Sequence, residues 1–329
     1  MPRLTALHSS AAGHGHSALR VAGSRLRRAI AGTDLSVYPL ALGTSAFGWT
    51  TSETTSATIL DRYRARGGNF LDTADNYSSG RSELLIGRWL RSRGDRADTV
   101  IATKIGRGRD YPGLSATSII GAVEASLARL GVDYIDLLYF HLDDPTVELA
   151  ESLGAVDALV RAGQVRYLAV SGFSPSRLGQ ARRLSDAGLP LIVAIGAEYN
   201  LVARSTFESS DAVAAAALQL SVLPRFALAH GFLAGGFRSR SDLPQDSRGA
   251  LVAPYLRRRE LRVLATVDRI AATHGVPPAT ISLAWLLSRP GVVAPTVGVT
   301  HAEHVKDLMS AATVTLSPGE LRELDHISA

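Results

Sequence analysis

Asp72, Tyr77, Lys104 and His141 are the residues of this chain whose types and spacing suit proton transfer. Asp72 follows the apolar pair Phe70-Leu71, Tyr77 lies five residues further on, Lys104 closes a run at 100–103, and His141 closes a run at 135–140. Each stands where a buried stretch gives way to a loop. Burying a lysine without a counter-ion costs about several kcal/mol, so Asp72 is the natural partner of Lys104. That pair would hold a positive charge beside the Tyr77 hydroxyl and favour the phenolate. A phenol with a reference pKa of about 10 needs such help to release a proton near neutrality. His141 could donate to, or orient, the same substrate oxygen. Taken singly, each residue has a plainer reading: a strand-end Asp caps a turn, a Lys snorkels, a Tyr or His packs. Their ordered placement on neighbouring runs is what argues for a shared site.

The elements that must position them are legible from residue 37 onward, where short apolar runs alternate with longer segments of helical spacing. The runs fall at 39–42, 69–71, 100–103, 135–140, 166–170, 191–195, 220–224 and 292–295. Helix-like stretches fall at 56–65, 82–93, 116–130, 146–162, 175–187, 211–219, 258–273 and 279–287. Strands joined by crossover helices run parallel and are buried on both faces, which is why they read as continuous apolar segments. Eight such units predict an α/β fold, a (β/α)8 TIM barrel whose site lies at the C-terminal strand ends. Gly67-Gly68, Gly131, Gly163 and Gly188 each stop a helix before the next strand. Segments 27–30 and 35–38 around Gly32-Thr33 predict an N-terminal hairpin under the barrel, and 301–328 supplies extra C-terminal helices. Residues 236–256 read as a long polar loop carrying Arg238 and Arg240.

Composition narrows the function classes. With 46% hydrophobic residues the chain can fill a large core, and no run approaches the roughly 20 apolar residues of a membrane span. There are no cysteines, which removes disulfides, thiolate nucleophiles and cysteine-based metal centres and favours a cytoplasmic address. The net charge of +5 is modest and scattered, so neither nucleic acid nor a membrane is an expected partner; a small molecule is, and homo-oligomerisation stays open. No HExxH pattern or acid cluster suggests a metal site. GxGxxG and the P-loop are also missing, so a nucleotide would have to be held by barrel loops. Residues 1–24 read as a disordered basic extension, with His8, His14 and His16 solvated, and 25–329 as one barrel domain.

Several segments carry a family likeness: Leu42-Gly43-Thr44, Gly68-Asn69-Phe70-Leu71-Asp72-Thr73-Ala74-Asp75-Asn76-Tyr77, Ser82-Glu83, Ala102-Thr103-Lys104, and Tyr134-Ile135-Asp136-Leu137 with His141. Glu198-Tyr199-Asn200-Leu201, Gly231-Phe232-Leu233 and Leu283-Ala284-Trp285-Leu286 extend it. Together they resemble the aldo-keto reductases of the actinobacterial type, and also the potassium-channel beta-subunit-like members, over roughly residues 25–328. The resemblance implies reduction of an aldehyde or ketone by a nicotinamide dinucleotide, NADPH (NADP) before NAD. It makes Tyr77 the general acid, Asp72 and Lys104 its proton-transfer support, and His141 the group that orients the carbonyl.

It also places the cofactor across the barrel mouth, against Ser171, Gly172, Gly196 and Arg225, then Leu228, Gly231 and Leu233. The far end of the cofactor would lie along Gly298, Thr300, His304 and Asp307, with Trp49 and Phe232 as apolar walls for substrate. Here the chain departs from the family pattern. The usual Ser-Asn pair reads Ser171-Gly172, the strand-six Gln is Gly196, the stacking aromatic is Arg225, Gly-Lys is Gly235-Gly236, and the adenine-end Glu-Asn pair is Asp307-Leu308. Each loss removes a contact worth about 1 kcal/mol. Two other readings therefore stay open beside the reductase: a redox-neutral lyase or isomerase using Tyr77 and Lys104, and a cofactor-poor binding barrel.

Overall fold

The computed structural model describes residues 26–245 and 247–329; the basic extension 1–24 and its histidines lie outside them. Strands β1 (Arg28–Ala29) and β2 (Ser36–Val37) pair antiparallel, with the turn at Gly32 in the left-handed region at φ 71°. The barrel strands are β3 (Ala41–Gly43), β4 (Phe70–Asp72), β5 (Val100–Ile105), β6 (Ile135–Phe140), β7 (Val165–Ser171), β8 (Ile192–Gly196), β9 (Ser221–Val222) and β10 (Thr296–Gly298). They pair in parallel in the order β10-β3-β4-β5-β6-β7-β8-β9. The ring closes through Val222, whose N–H donates to Gly291 O at 2.8 Å and whose carbonyl accepts from Val293 N at 3.0 Å.

Every residue of β5 and β6 is buried, as two-sided burial in a parallel barrel demands. The interior is an alternation of small and large: Ala41, Ala102, Ala169 and Ala194 leave room for Phe70, Leu137 and Tyr139. Ile30, Leu35 and Val37 of the hairpin join that cluster and plug the floor. With the floor sealed, the strand C-termini form the open end.

Helices α1 (Glu53–Ala65), α2 (Arg81–Arg93), α3 (Ala116–Leu130), α4 (Leu149–Arg161), α5 (Pro175–Asp186) and α6 (Ala212–Ala217) each follow a barrel strand. α3 illustrates why: Ser115 caps it by accepting from Ser118 N at 3.2 Å, Gly131 at φ 64° ends it, and Ile119, Val123, Leu127 and Leu130 form one buried stripe. Ser115→Ala would remove about 1 kcal/mol of that helix's stability. Helices α7 (Ser247–Val252), α8 (Arg258–His274) and α9 (Pro278–Leu287) lie between β9 and β10, and α10 (His304–Ser310) and α11 (Pro318–Ser328) follow the barrel. Among the described residues no single helix is long and apolar enough to cross a membrane.

Two expectations need correction. The eighth strand lies at 296–298 rather than 292–295, because Pro295 has no N–H and offers β3 only its carbonyl, to Ala41 N at 2.9 Å, with residue pairing beginning at Thr296. Residues 236–256 are not an open loop: they hold helical turns at Arg240–Asp242, α7 and Ala253–Tyr255. A Ser239–Asp242 capping box starts this segment, and the fully buried Val252 anchors it.

Candidate active site

Asp72 ends β4 and Lys104 is the penultimate residue of β5, so neighbouring strands bring them to the same height. Lys104 Nζ donates to Asp72 Oδ1 at 2.6 Å and to Thr73 O at 2.9 Å, with both side chains buried. Burial pushes the Asp72 carboxyl up. Burial also opposes the Lys104 charge, but Asp72 and the Tyr77 hydroxyl outweigh it and hold the ammonium above its ordinary value. Lys104 is therefore a charged group inside the barrel.

Tyr77 opens the turn Tyr77–Gly80, in which Ser78 and Ser79 take left-handed backbone at φ 51° and 54°. Ser78 Oγ donates to Phe47 O at 2.8 Å and ties that turn to the loop after β3. This aims Tyr77 back over the strand ends: Lys104 Nζ lies 5.3 Å from its ring centroid. Tyr77 is half-buried while Asp72, Lys104 and His141 are buried, so the phenol is the member most open to the mouth. The His141 ring stands edge-on to Tyr77 at 6.2 Å. Its Nδ1 is buried without a hydrogen-bond partner. Burial, then the charges of Lys104, Arg107 and Arg225, push its pKa down to about 3, which keeps the imidazole neutral. The four groups singled out from the sequence thus meet in one place.

Tyr139 and Arg107 belong to the same neighbourhood and were not foreseen. Tyr139 pairs in register with Lys104, is buried, and places its ring 5.5 Å from Nζ. Its signal would have been the inward alternation of Leu137 and Tyr139 along β6. Arg107 lies three residues beyond Lys104, on the loop after β5.

The positions expected to hold cofactor are grouped only in part. Gly172, Gly196 and Arg225 border one hollow of about 350 Å³ beside the ends of β7 and β8. A Cβ at Gly172 would touch nothing within 4 Å, whereas one at Gly196 would come 3.3 Å from the Tyr139 ring. Gly196 is thus explained by the tyrosine beside Lys104. Ser171 Oγ donates to Gly196 O at 3.1 Å, so its proton is committed. The N–H groups of Gly231 and Leu233 both go to Leu228 O, at 2.9 and 3.2 Å. Gly298 ends β10, Thr300 Oγ1 pairs with His301 Nδ1 at 3.0 Å, and His304 and Asp307 lie in α10. A flat ring fits the hollow by space, with fewer side-chain contacts than an Asn, a Gln and an aromatic would give.

The remaining expectations resolve differently. Trp49 is 69% exposed and lines a separate hollow with Arg81, Leu84 and Arg88, not the one beside β7 and β8. Phe232 is fully buried and stacks on Tyr255 at 5.7 Å, so it is core rather than a substrate wall. Tyr199 packs on Phe207 and Trp285 and bonds Glu208 at 2.6 Å. Arg238, on the segment expected to be a polar loop, pairs with Asp268 at 2.6 Å.

Comparison with known proteins agrees with this geometry. The sequence profile described as the Aldo/keto reductase family matches residues 39–329. The chain is 31% identical to norsolorinic acid reductase B of Aspergillus parasiticus, over 92% of its own length and 84% of that protein's. It is 27% identical to the NADP(+)-named aldo-keto reductase yakc of Schizosaccharomyces pombe, over 86% and 85% of the two chains. It is also 32% identical to an Arabidopsis thaliana protein named "Probable voltage-gated potassium channel subunit beta", over 82% and 86%.

Proposed function

Because the chain belongs to the aldo/keto reductase family and is an oxidoreductase, we propose that it reduces an aldehyde or ketone to an alcohol with Tyr77 as the proton donor. The observation that carries this reading is the buried 2.6 Å ion pair of Lys104 and Asp72 beneath Tyr77, with a neutral His141 alongside. Gly172, Gly196 and Arg225 would hold a nicotinamide cofactor, whose chemistry there would be to supply the hydride. NADPH is favoured over NADH by the NADP(+)-named relative.

The chain's own residues do the rest. As the carbonyl π bond breaks, negative charge develops on its oxygen, and Tyr77 gives that oxygen its hydroxyl proton. Lys104, fixed by Asp72 and Thr73 O, keeps a positive charge beside the phenol throughout. His141, being neutral, offers a ring N–H to the same oxygen without adding a cation. Buried Tyr139 and the sealed floor keep water from approaching from below.

The test is titration with NADPH and NADH followed by fluorescence, then a panel of carbonyl compounds followed by loss of reduced-cofactor absorbance. Saturable binding with turnover, lost in Tyr77→Phe, is the expected result. Turnover that needs no cofactor would instead support the lyase or isomerase reading, which the committed Ser171 hydroxyl and the open face at Gly172 favour.

A further inference from the structure

We propose that the barrel mouth selects carbonyl compounds that carry a carboxylate near the carbonyl, and that Arg107 and Arg225 grip that carboxylate. The inference rests on the reductase reading and names its substrate class. Arg107 follows β5 and Arg225 follows β9, and in the ring order these strands stand four places apart, on opposite sides of the barrel. Tyr77, after β4, and His141, after β6, flank the Arg107 side. An anion bridging the two arginines therefore lies over the centre of the mouth, beside the phenol and the imidazole.

Both arginines lack the carboxylate partner that several others in this fold have. Arg129, Arg177 and Arg238 bind carboxylates at 2.7, 2.9 and 2.6 Å. Among the described residues neither Arg107 nor Arg225 has a carboxylate within 4.0 Å, and Arg225 Nε is buried with no acceptor at all. Glu198 stands in register with Arg225 and its charge favours that guanidinium, but the two side chains form no ion pair within 4.0 Å. Burial, then the charge of Arg107 across the mouth, oppose the charge on Arg225, and both guanidinium groups oppose protonation of His141. An anion between two like charges offsets their repulsion, and the planar guanidinium fork matches a carboxylate through two parallel N–H bonds.

Cofactor phosphate is the competing occupant for Arg225, but it does not account for Arg107. The positions expected for cofactor lie at β7 to β10, whereas Arg107 stands beyond β5. An apolar substrate wall is no better placed, since Trp49 faces another hollow and Phe232 is core.

The experiment compares phenylglyoxylate with its methyl ester as substrates, in the wild type, Arg107→Gln and Arg225→Gln, alongside NADPH dissociation constants. Calorimetric binding of phenylglyoxylate is measured with and without NADP+. Arg107 is exposed, so its variant tests the pair without disturbing packing. The expected result is a kcat/KM for the acid at least about tenfold above the ester, a preference that each variant cuts by about tenfold. Equal use of acid and ester, or a parallel loss with NADPH affinity and no change in preference, overturns the inference while leaving the reductase intact. Arginine-dependent binding of the acid without reduction of either compound keeps the inference and removes the reductase. Neither binding nor reduction of the acid overturns the inference outright.

Discussion

Between β4 and β6 the barrel mouth is held by short buried bonds: Lys104 to Asp72 at 2.6 Å, Lys104 to Thr73 O at 2.9 Å, and Tyr139 packed against the same ammonium. Between β7 and β9 the same rim is open, with two glycines and an unpaired arginine around a hollow of about 350 Å³. The first arc carries all four groups to which the proposed mechanism assigns proton transfer or carbonyl orientation. The second lacks the Asn, Gln and aromatic side chains that the family resemblance leads one to expect around a flat ring. A charged lysine inside a barrel leaves little freedom to its neighbours, since removing any partner strands a buried charge. The hollow, whose lining includes Gly172, Gly196 and the partly exposed Arg225, holds no such buried ion pair and has no comparable penalty for change. Substitutions in the two arcs should therefore differ in kind: chemistry and folding suffer in the first, and affinity alone in the second wherever the first arc's side chains are left in place.

The largest effect that would break this comparison is expected at Tyr77. Tyr77→Phe removes only a hydroxyl from a half-buried ring, so turnover should fall by about two to four orders of magnitude while the denaturation midpoint and NADPH dissociation constant barely move. Carbonyl reduction near the wild-type rate would take Tyr77 out of the chemistry. Next in size is Asp72→Asn, which leaves Lys104 buried without its counter-charge and should cost about 3 kcal/mol or more in urea unfolding. The double variant Asp72→Leu/Lys104→Met sharpens the point. Removing both charges should restore much of the stability and none of the turnover, and recovered turnover would show that the pair serves folding alone.

The first arc was legible in the sequence because its residues interrupt apolar runs at their ends, and a barrel with parallel strands has only one end where such residues gather. Run 135–140 matches β6 residue for residue, since neither Gly nor Pro breaks it. Strand eight was displaced because Pro295 sits among the apolar residues that mark it. The turn-rich segment 236–256 was missed because one buried valine, Val252, anchors an otherwise polar stretch. Arg107 was invisible for a different reason. A lone arginine between Gly106 and Gly108 looks solvated, and only the closure of the ring sets it opposite Arg225.

A smaller effect separates two titrating groups within the first arc. His141 has its pKa pushed down to about 3, below its unfolded value, so the folded state binds fewer protons. Its contribution is intact above about pH 6.5 and is lost as the pH falls towards the folded value, by about 2 kcal/mol at pH 5. Asp75 acts in the opposite sense: burial, then Glu83, push its pKa up to about 6, so the folded state takes up a proton as the pH falls and gains stability. Urea midpoints at pH 7 and pH 5 should show His141→Gln losing less stability on acidification than the wild type, and Asp75→Asn losing more. Identical slopes in all three proteins would mean that neither group is perturbed by its burial.

The smallest expected effect tests the open arc directly. Gly172 has φ 73°, a left-handed conformation that asparagine tolerates better than other side chains, and a Cβ there meets nothing within 4 Å. Gly172→Asn should therefore fold and extend an amide over the hollow, where the family pattern has one. A single new hydrogen bond is worth about 1 kcal/mol, so NADPH should bind about fivefold more tightly. Gly196→Gln should not gain in the same way, because its Cβ comes 3.3 Å from the Tyr139 ring and must displace the residue packed beside Lys104. The contrast between these two substitutions carries the information. If Gly172→Asn tightens NADPH binding and Gly196→Gln lowers turnover, the nicotinamide lies in the hollow and Tyr139 belongs to the bonded arc. If Gly172→Asn leaves NADPH affinity unchanged while the variant folds normally, the ring sits elsewhere, and the hollow beside β7 and β8 was opened for a different part of the ligand.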